Sequence, residues 1–153
     1  MKYLVDANVL SEATRKEPVP EVVDWIEAHE AELVIDAIVL AELSIGVEVL
    51  PVGRKRRRLE RWFDSLVETI ECLPWDSSSS RAWACLVADL RQRGTTMPLF
   101  DSLIAATARA HDLTIVTRNE RDFALCGVEI VNPFPTDDSP PDSVHEPECP
   151  FGQ

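Results

Sequence analysis

Three carboxylates stand at positions where an acid calls for an explanation. Asp6 closes the short apolar run YLV, Glu42 interrupts the apolar stretch 38–50, and Asp101 follows Pro98 in MPLFDSLIAATARAH. At the carboxyl end of a strand, a carboxylate lies where open α/β sheets gather their sites. In the first turn of a helix it meets unpaired amides and the positive end of the dipole, worth about 0.3–1 kcal/mol when exposed. Glu42 has Ile38 and Val39 one turn before it and Ile45 and Gly46 one turn after it. Burying an isolated carboxylate on such a face costs several kcal/mol, so it must be protonated, paired or bound to a cation. Plainer explanations exist: Asp6 and Asp101 as helix caps, Glu42 as the partner of an arginine across the core. Were the three to converge, a set of oxygen ligands with no lysine nearby suits Mg²⁺ or Mn²⁺. Such an ion polarises a phosphate oxygen, stabilises a leaving oxygen and activates water for in-line attack, which is the chemistry of phosphodiester hydrolysis.

Positioning these acids requires strands and helices in alternation. Lys2–Asp6, Leu33–Ala37, Leu113–Thr117 and Val128–Val131 read as short strands, with Cys72–Trp75 as a further extended segment or strand edge. Pro20 opens a helix whose inner face is Val22, Val23 and Ile26. Ile38–Leu50 is apolar nearly all round, which predicts a helix well inside the fold. Leu59, Trp62, Phe63, Leu66, Val67 and Ile70 form the stripe of the next helix. Asp76 or the serines after it cap another, with Ala82, Leu86 and Leu90 inward and Gly94 at its end. Pro98 opens the last long one, through Phe100, Leu103, Ile104 and Ala108. Short apolar strands between longer amphipathic helices predict an α/β domain with a mostly parallel sheet covered on both faces.

At 153 residues and 45% hydrophobic content the chain fits one globular domain. No stretch approaches the roughly 20 apolar residues of a membrane helix, and MKYLVDANVL turns acidic too early for a secretory signal, so a cytoplasmic protein without membrane attachment is expected. Cys72, Cys85, Cys126 and Cys149 include no C-x-x-C pair and indicate neither a disulfide framework nor a zinc site; the first three read as core fillers. A net charge of −12 disfavours a nucleic-acid partner at first sight. Yet Asp137, Asp138, Asp142, Glu146 and Glu148 all lie beyond Phe134, among five prolines and no Lys or Arg. Residues 1–134 therefore form the expected domain and 135–153 an acidic, Pro-rich, disordered tail. The basic block GRKRRRLER at 53–61, with Arg54, Arg56, Arg57 and Arg58, either faces RNA or is a solvated helix face.

YLVDANVLSE, AELSIGV around Glu42, and MPLFDSLIAATARAHDLTIVTRNERDF together resemble the PIN-domain ribonucleases, specifically the VapC-type toxins of bacterial toxin–antitoxin pairs, over residues 2–134. The resemblance implies a three-layer α/β/α sandwich with a short, mostly parallel sheet, and an Mg²⁺- or Mn²⁺-dependent endoribonuclease acting on RNA. It also implies a homodimer and inhibition by a small VapB-like antitoxin whose tail covers the site. By the same resemblance Asp6, Glu42 and Asp101 are metal-site acids, with Asn8 and Thr117 as supporting polar groups. Many PIN domains carry an aspartate two residues after that threonine, where this chain has Asn119. If the chain turns helical there, Asn119 and Asp122 share a face and Glu120 is rotated about 100° away, which makes Asp122 the fourth catalytic and metal-site acid and Asn119 its neutral neighbour. The plainer alternative pairs Asp122 with Arg118 or Arg121. A receiver domain or an aspartate-nucleophile phosphatase would need a late lysine, and the lysines are Lys2, Lys16 and Lys55. A catalytically silent PIN-fold binding module would be expected to lose a core acid, and all three are present.

Overall fold

Five short strands, Tyr3–Val5 (β1), Leu33–Asp36 (β2), Glu71–Leu73 (β3), Thr114–Val116 (β4) and Ile130–Val131 (β5), form one sheet in the order β3-β2-β1-β4-β5, with every pairing parallel. They belong to a computed structural model that describes residues 2–136; the acidic tail from residue 137 on lies outside the described residues. The three central strands are buried almost throughout, whereas β3 and β5 at the edges are mostly half-buried. That contrast explains the β-branched runs LVID and TIV: strands covered on both faces take apolar residues without alternation.

Seven α-helices fill the connections among the described residues: Ala7–Leu10 (α1), Pro20–His29 (α2), Ala37–Glu48 (α3), Arg54–Thr69 (α4), Ser77–Gln92 (α5), Leu99–His111 (α6) and Glu120–Phe123 (α7). The chain runs from β1 outward to β2 and β3, then returns past β1 to β4 and β5. Right-handed crossovers put the helices of these two excursions on opposite faces, which makes the three-layer sandwich. The reversal falls between β1 and β4, and open α/β sheets bind ligands in the crevice outside the carboxyl ends of the strands at such a point. Among the described residues no helix is long and apolar enough to cross a membrane.

Local signals set most boundaries. Asp76 accepts from the Ser79 amide at 2.9 Å to start α5, and Gly94 at φ 68° follows its end. The α5 and α6 helices pack as a pair, tied by Trp83 Nε1 donating to Ser102 Oγ at 3.0 Å.

Four expectations need correction. The helix expected well inside the fold, α3, buries Val39, Leu43, Gly46 and Val47 but leaves Ile45 50% and Val49 62% exposed. Its neighbours in this chain cover one side only, and an apolar pattern does not distinguish a core from an interface. In the α4 stripe only Leu59 is fully buried, and Val67 faces outward. Phe100 is 44% exposed because it occupies the first turn of α6, ahead of the part that meets the sheet. Of the cysteines, Cys126 is buried, Cys72 half-buried and Cys85 exposed, so Cys85 is no core filler; Cys149 lies outside the described residues.

Candidate active site

Asp6 follows β1 directly, and its amide continues the sheet by donating to Val116 O of β4 at 2.9 Å. One carboxylate oxygen, Oδ1, accepts from the Ala7 amide at 2.8 Å and caps α1. The other, Oδ2, accepts from the Thr117 hydroxyl at 2.8 Å and from Asn8 Nδ2 at 3.3 Å. Capping and site-building are thus done by the same side chain. Thr117, the residue after β4, is fully buried and also accepts from the Asn119 amide at 3.0 Å. Asn8 completes the bridge: its Oδ1 accepts from the Arg118 amide at 3.2 Å. The expected supporting residues Asn8, Thr117 and Asn119 therefore form one hydrogen-bonded web that fixes Asp6.

Asp101 stands in the first turn of α6 but is not its cap; Pro98 holds that position without a side-chain bond. Asp122, in α7, reaches Asp101 closely enough for a hydrogen bond between the two carboxyls. Glu120 is turned elsewhere and accepts from Asn132 Nδ2 at 3.0 Å. Among the described residues Asp122 makes no ion pair with Arg118 or Arg121, and the Arg118 guanidinium lies over the ring of Phe134.

Each central acid is pushed toward its protonated form. Burial, and then the charges of Asp6, Asp101 and Asp36, raise Glu42 to about 8. Burial, and then Asp6 and Asp122, raise Asp101 to about 7. Asp6 is buried most deeply yet reaches only about 6, because its bonds from Thr117 and Ala7 offset part of the desolvation. No cationic side chain acts on any of the three, and the expectation of an arginine partner for Glu42 finds none among the described residues.

The sequence reading missed Asp36. It closes β2 and caps α3, its Oδ1 accepting from the amides of Ile38 at 3.1 Å and Val39 at 2.8 Å. Burial raises its pKa, while those amides and the Thr107 hydroxyl act in the opposite direction. Its Oδ2 is buried without a hydrogen-bond partner among the described residues, and its charge acts on both Asp6 and Glu42. A signal was present: LVIDA at 33–37 repeats the pattern of YLVDA at 3–7, an apolar strand closed by an aspartate and an alanine.

The donor set fits a hard divalent cation. It is all oxygen, its members repel one another, and one buried oxygen lacks a partner. Among the described residues no three of these acids stand close enough together to hold a metal ion between them, so the fit lies in their chemistry and not in a formed ligand set.

The basic block lies apart, at the start of α4. Arg56 is engaged within the chain: it bonds Glu60 at 2.9 Å and Glu48 at 3.1 Å, and donates to the Leu50 carbonyl at 3.2 Å where α3 ends. Arg54, Arg57 and Arg58 are exposed.

Comparison with known proteins agrees with this architecture. The PIN domain family pattern matches residues 3–127. Toxin FitB of Neisseria gonorrhoeae is 35% identical over 135 residues, covering 86% of this chain and 97% of that protein. The VapC ribonuclease Y4jK of Sinorhizobium fredii is likewise 35% identical, over 86% of this chain and 96% of its own length. The structure of FitAB bound to an IR36 DNA fragment superposes with a TM-score of 0.82 at 29% identity, covering 88% of this chain and 97% of that one. Acids gathered at the β1/β4 crevice and a match running through all but the end of the described fold lead to one conclusion: the chain belongs to the PIN-domain family.

Proposed function

We propose that this protein is an endoribonuclease, the toxin of a toxin–antitoxin pair, which hydrolyses RNA phosphodiester bonds with the help of Mg²⁺ or Mn²⁺. The observation that carries this is the set of buried or half-buried acids Asp6, Asp36, Glu42 and Asp101, with Asp122 beside them, whose charges act on one another while no cationic side chain among the described residues is seen to shift the three central acids. Relatives named as ribonucleases and toxins support it.

A hard divalent cation bound there would supply Lewis-acid stabilisation of the phosphate and of the leaving oxygen. Asp6, locked by Thr117, Asn8 and Ala7, is the preorganised ligand, while Glu42, Asp101 and Asp122 would complete the set. Burial favours the neutral form of Glu42 and Asp101 in the metal-free chain, and a neutral carboxyl accepts no proton. With the ion bound and the carboxyls ionised, a carboxylate oxygen not held by the ion would take the proton of the attacking water. The O–P bond opposite the incoming water would then break, and the leaving oxygen would take a proton from solvent. The test is RNA cleavage by the purified chain with and without EDTA: cutting that depends on Mg²⁺ or Mn²⁺ is expected, and cutting that survives EDTA contradicts the mechanism.

Asp122 is exposed, and its charge acts on Asp101 and on Asp6, so its role is to tighten rather than to create the site. Asp122→Asn is expected to raise the Mg²⁺ concentration for half-maximal cleavage several-fold while the melting temperature barely moves. An unchanged metal dependence would leave Asp122 outside the metal site.

RNA also has to approach an acidic protein. Arg54, Arg57 and Arg58 are the side chains of the basic block free to guide it, whereas Arg56 fastens α4 to α3. Neutralising these three should weaken RNA binding and flatten its salt dependence, each lost phosphate contact removing about 0.7 from the log–log slope for single strands. An unchanged slope would make the block a solvated face. The exposed apolar side of α3, with Ile45, Val49 and then Val52 beyond it, supports a VapB-like antitoxin or a second copy of the chain as its cover. A cytoplasmic setting follows from a toxin that acts on RNA.

A further inference from the structure

Arg118 is an exposed cation that follows directly on Thr117, whose hydroxyl bonds Asp6, and the chemistry above does not use its side chain. Its backbone amide donates to Asn8 Oδ1 at 3.2 Å, and Asn8 Nδ2 reaches Asp6 Oδ2 at 3.3 Å, so the Arg118 backbone, from which the side chain departs, lies one side chain away from the buried carboxylate. The guanidinium carbon lies 4.7 Å from the centroid of the Phe134 ring, and Phe134 is only 8% exposed. The ring is therefore fixed by the core, and its electron-rich face holds the cation without neutralising it. Acids lie close in sequence, yet Glu120 bonds Asn132 and Asp122 contacts Asp101. Among the described residues the Arg118 guanidinium has no carboxylate partner.

We propose that Arg118 is the phosphate anchor of this site, taking the backbone phosphate next to the scissile one, with Phe134 setting its position. This rests on the ribonuclease function proposed above. A crevice lined by Asp6, Asp36, Glu42, Asp101 and Asp122 repels a polyanion, so substrate must find positive charge close to it and outside the metal-binding set. A guanidinium stacked by one face keeps its edge donors in a fixed fork, the geometry that matches two phosphate oxygens. Arg118 is a positioning residue: it holds the strand in register with the carboxylates and touches no reacting atom.

The test uses a labelled single-stranded RNA. Arg118→Gln is expected to raise KM roughly tenfold with kcat within about twofold, as loss of one charge-assisted contact implies. On an Asp101→Asn background, which binds without cutting, Arg118→Gln should make the log–log salt slope shallower by about 0.7. Arg118→Lys should restore most of the slope, and Phe134→Leu, which keeps the apolar contact but removes the ring, should give an intermediate KM. If wild-type protein cuts the RNA while Arg118→Gln matches it in KM and slope, the anchor is wrong and the ribonuclease function stands. If Arg118→Gln lowers the melting temperature and kcat together and Arg118→Lys rescues neither, the residue is structural and the anchor is again wrong. If the wild type neither binds nor cuts RNA, the ribonuclease function falls and the anchor with it.

Discussion

Asp101→Asn is expected to lower kcat for RNA cleavage at least about a thousandfold, roughly 4 kcal/mol of transition-state stabilisation, while making the metal-free protein more stable above neutral pH. The loss follows from replacing a charged oxygen ligand and proton acceptor by a neutral amide in the middle of the cluster. The gain follows from proton linkage. Asp101 is raised to about 7, Asp6 to about 6 and Glu42 to about 8, so the folded chain holds these protons more tightly than an unfolded chain does. Their contribution is complete where both states are protonated, below about pH 4, and is lost as pH rises through the folded values toward about 8. Asparagine cannot ionise, and its presence also relieves the repulsion felt by Asp6 and Glu42. The small first-turn dipole benefit forfeited at Asp101 does not match that relief. Melting temperatures without divalent ions should therefore coincide for the two proteins near pH 4 and diverge by pH 8, with the variant higher. Equal melting temperatures across the range would mean that the acids do not repel one another in the folded chain.

Phe123→Ala is expected to cost about 3–5 kcal/mol, the largest stability effect anticipated from a single truncation here. Phe123 is fully buried and is the one buried residue of the four-residue α7, too short a helix to persist alone. With the ring gone, α7 loses its attachment to the core, and Asp122 loses its approach to Asp101. Urea unfolding should show the lowered midpoint, and cleavage well below the transition should require more Mg²⁺ than the wild type. A loss under about 1 kcal/mol would show that α7 is held by something other than this side chain.

Much of the candidate site was legible because its acids occupy positions with a physical meaning. Asp6 ends a strand, Asp101 lies in a helix's first turn after a proline, and Glu42 breaks an apolar face. Asp36 escaped because an aspartate ending a β-branched run looks like any strand terminus; its place in the cluster comes from β2 lying beside β1, which is a matter of sheet order. The placement of α3 escaped for a different reason. Hydrophobic periodicity reports that a surface is covered, not by what, and an all-round apolar helix can be half core and half interface. Arg56 was indistinguishable in sequence from its neighbours in the basic block, and only the end of α3, presenting Glu48 and the Leu50 carbonyl, separates it from them.

The central claim is that these carboxylates, protonated in part when alone, form a divalent-cation site. Calorimetric titration of Mg²⁺ into the metal-free protein at pH 7.5, in two buffers of different ionisation enthalpy, tests it directly. Binding that releases about one proton per ion is expected, because Glu42 and Asp101 must give up protons to bind. The release should vanish near pH 9 and in a Glu42→Gln, Asp101→Asn double variant. No binding, or binding without proton release that the double variant leaves unchanged, would contradict the account.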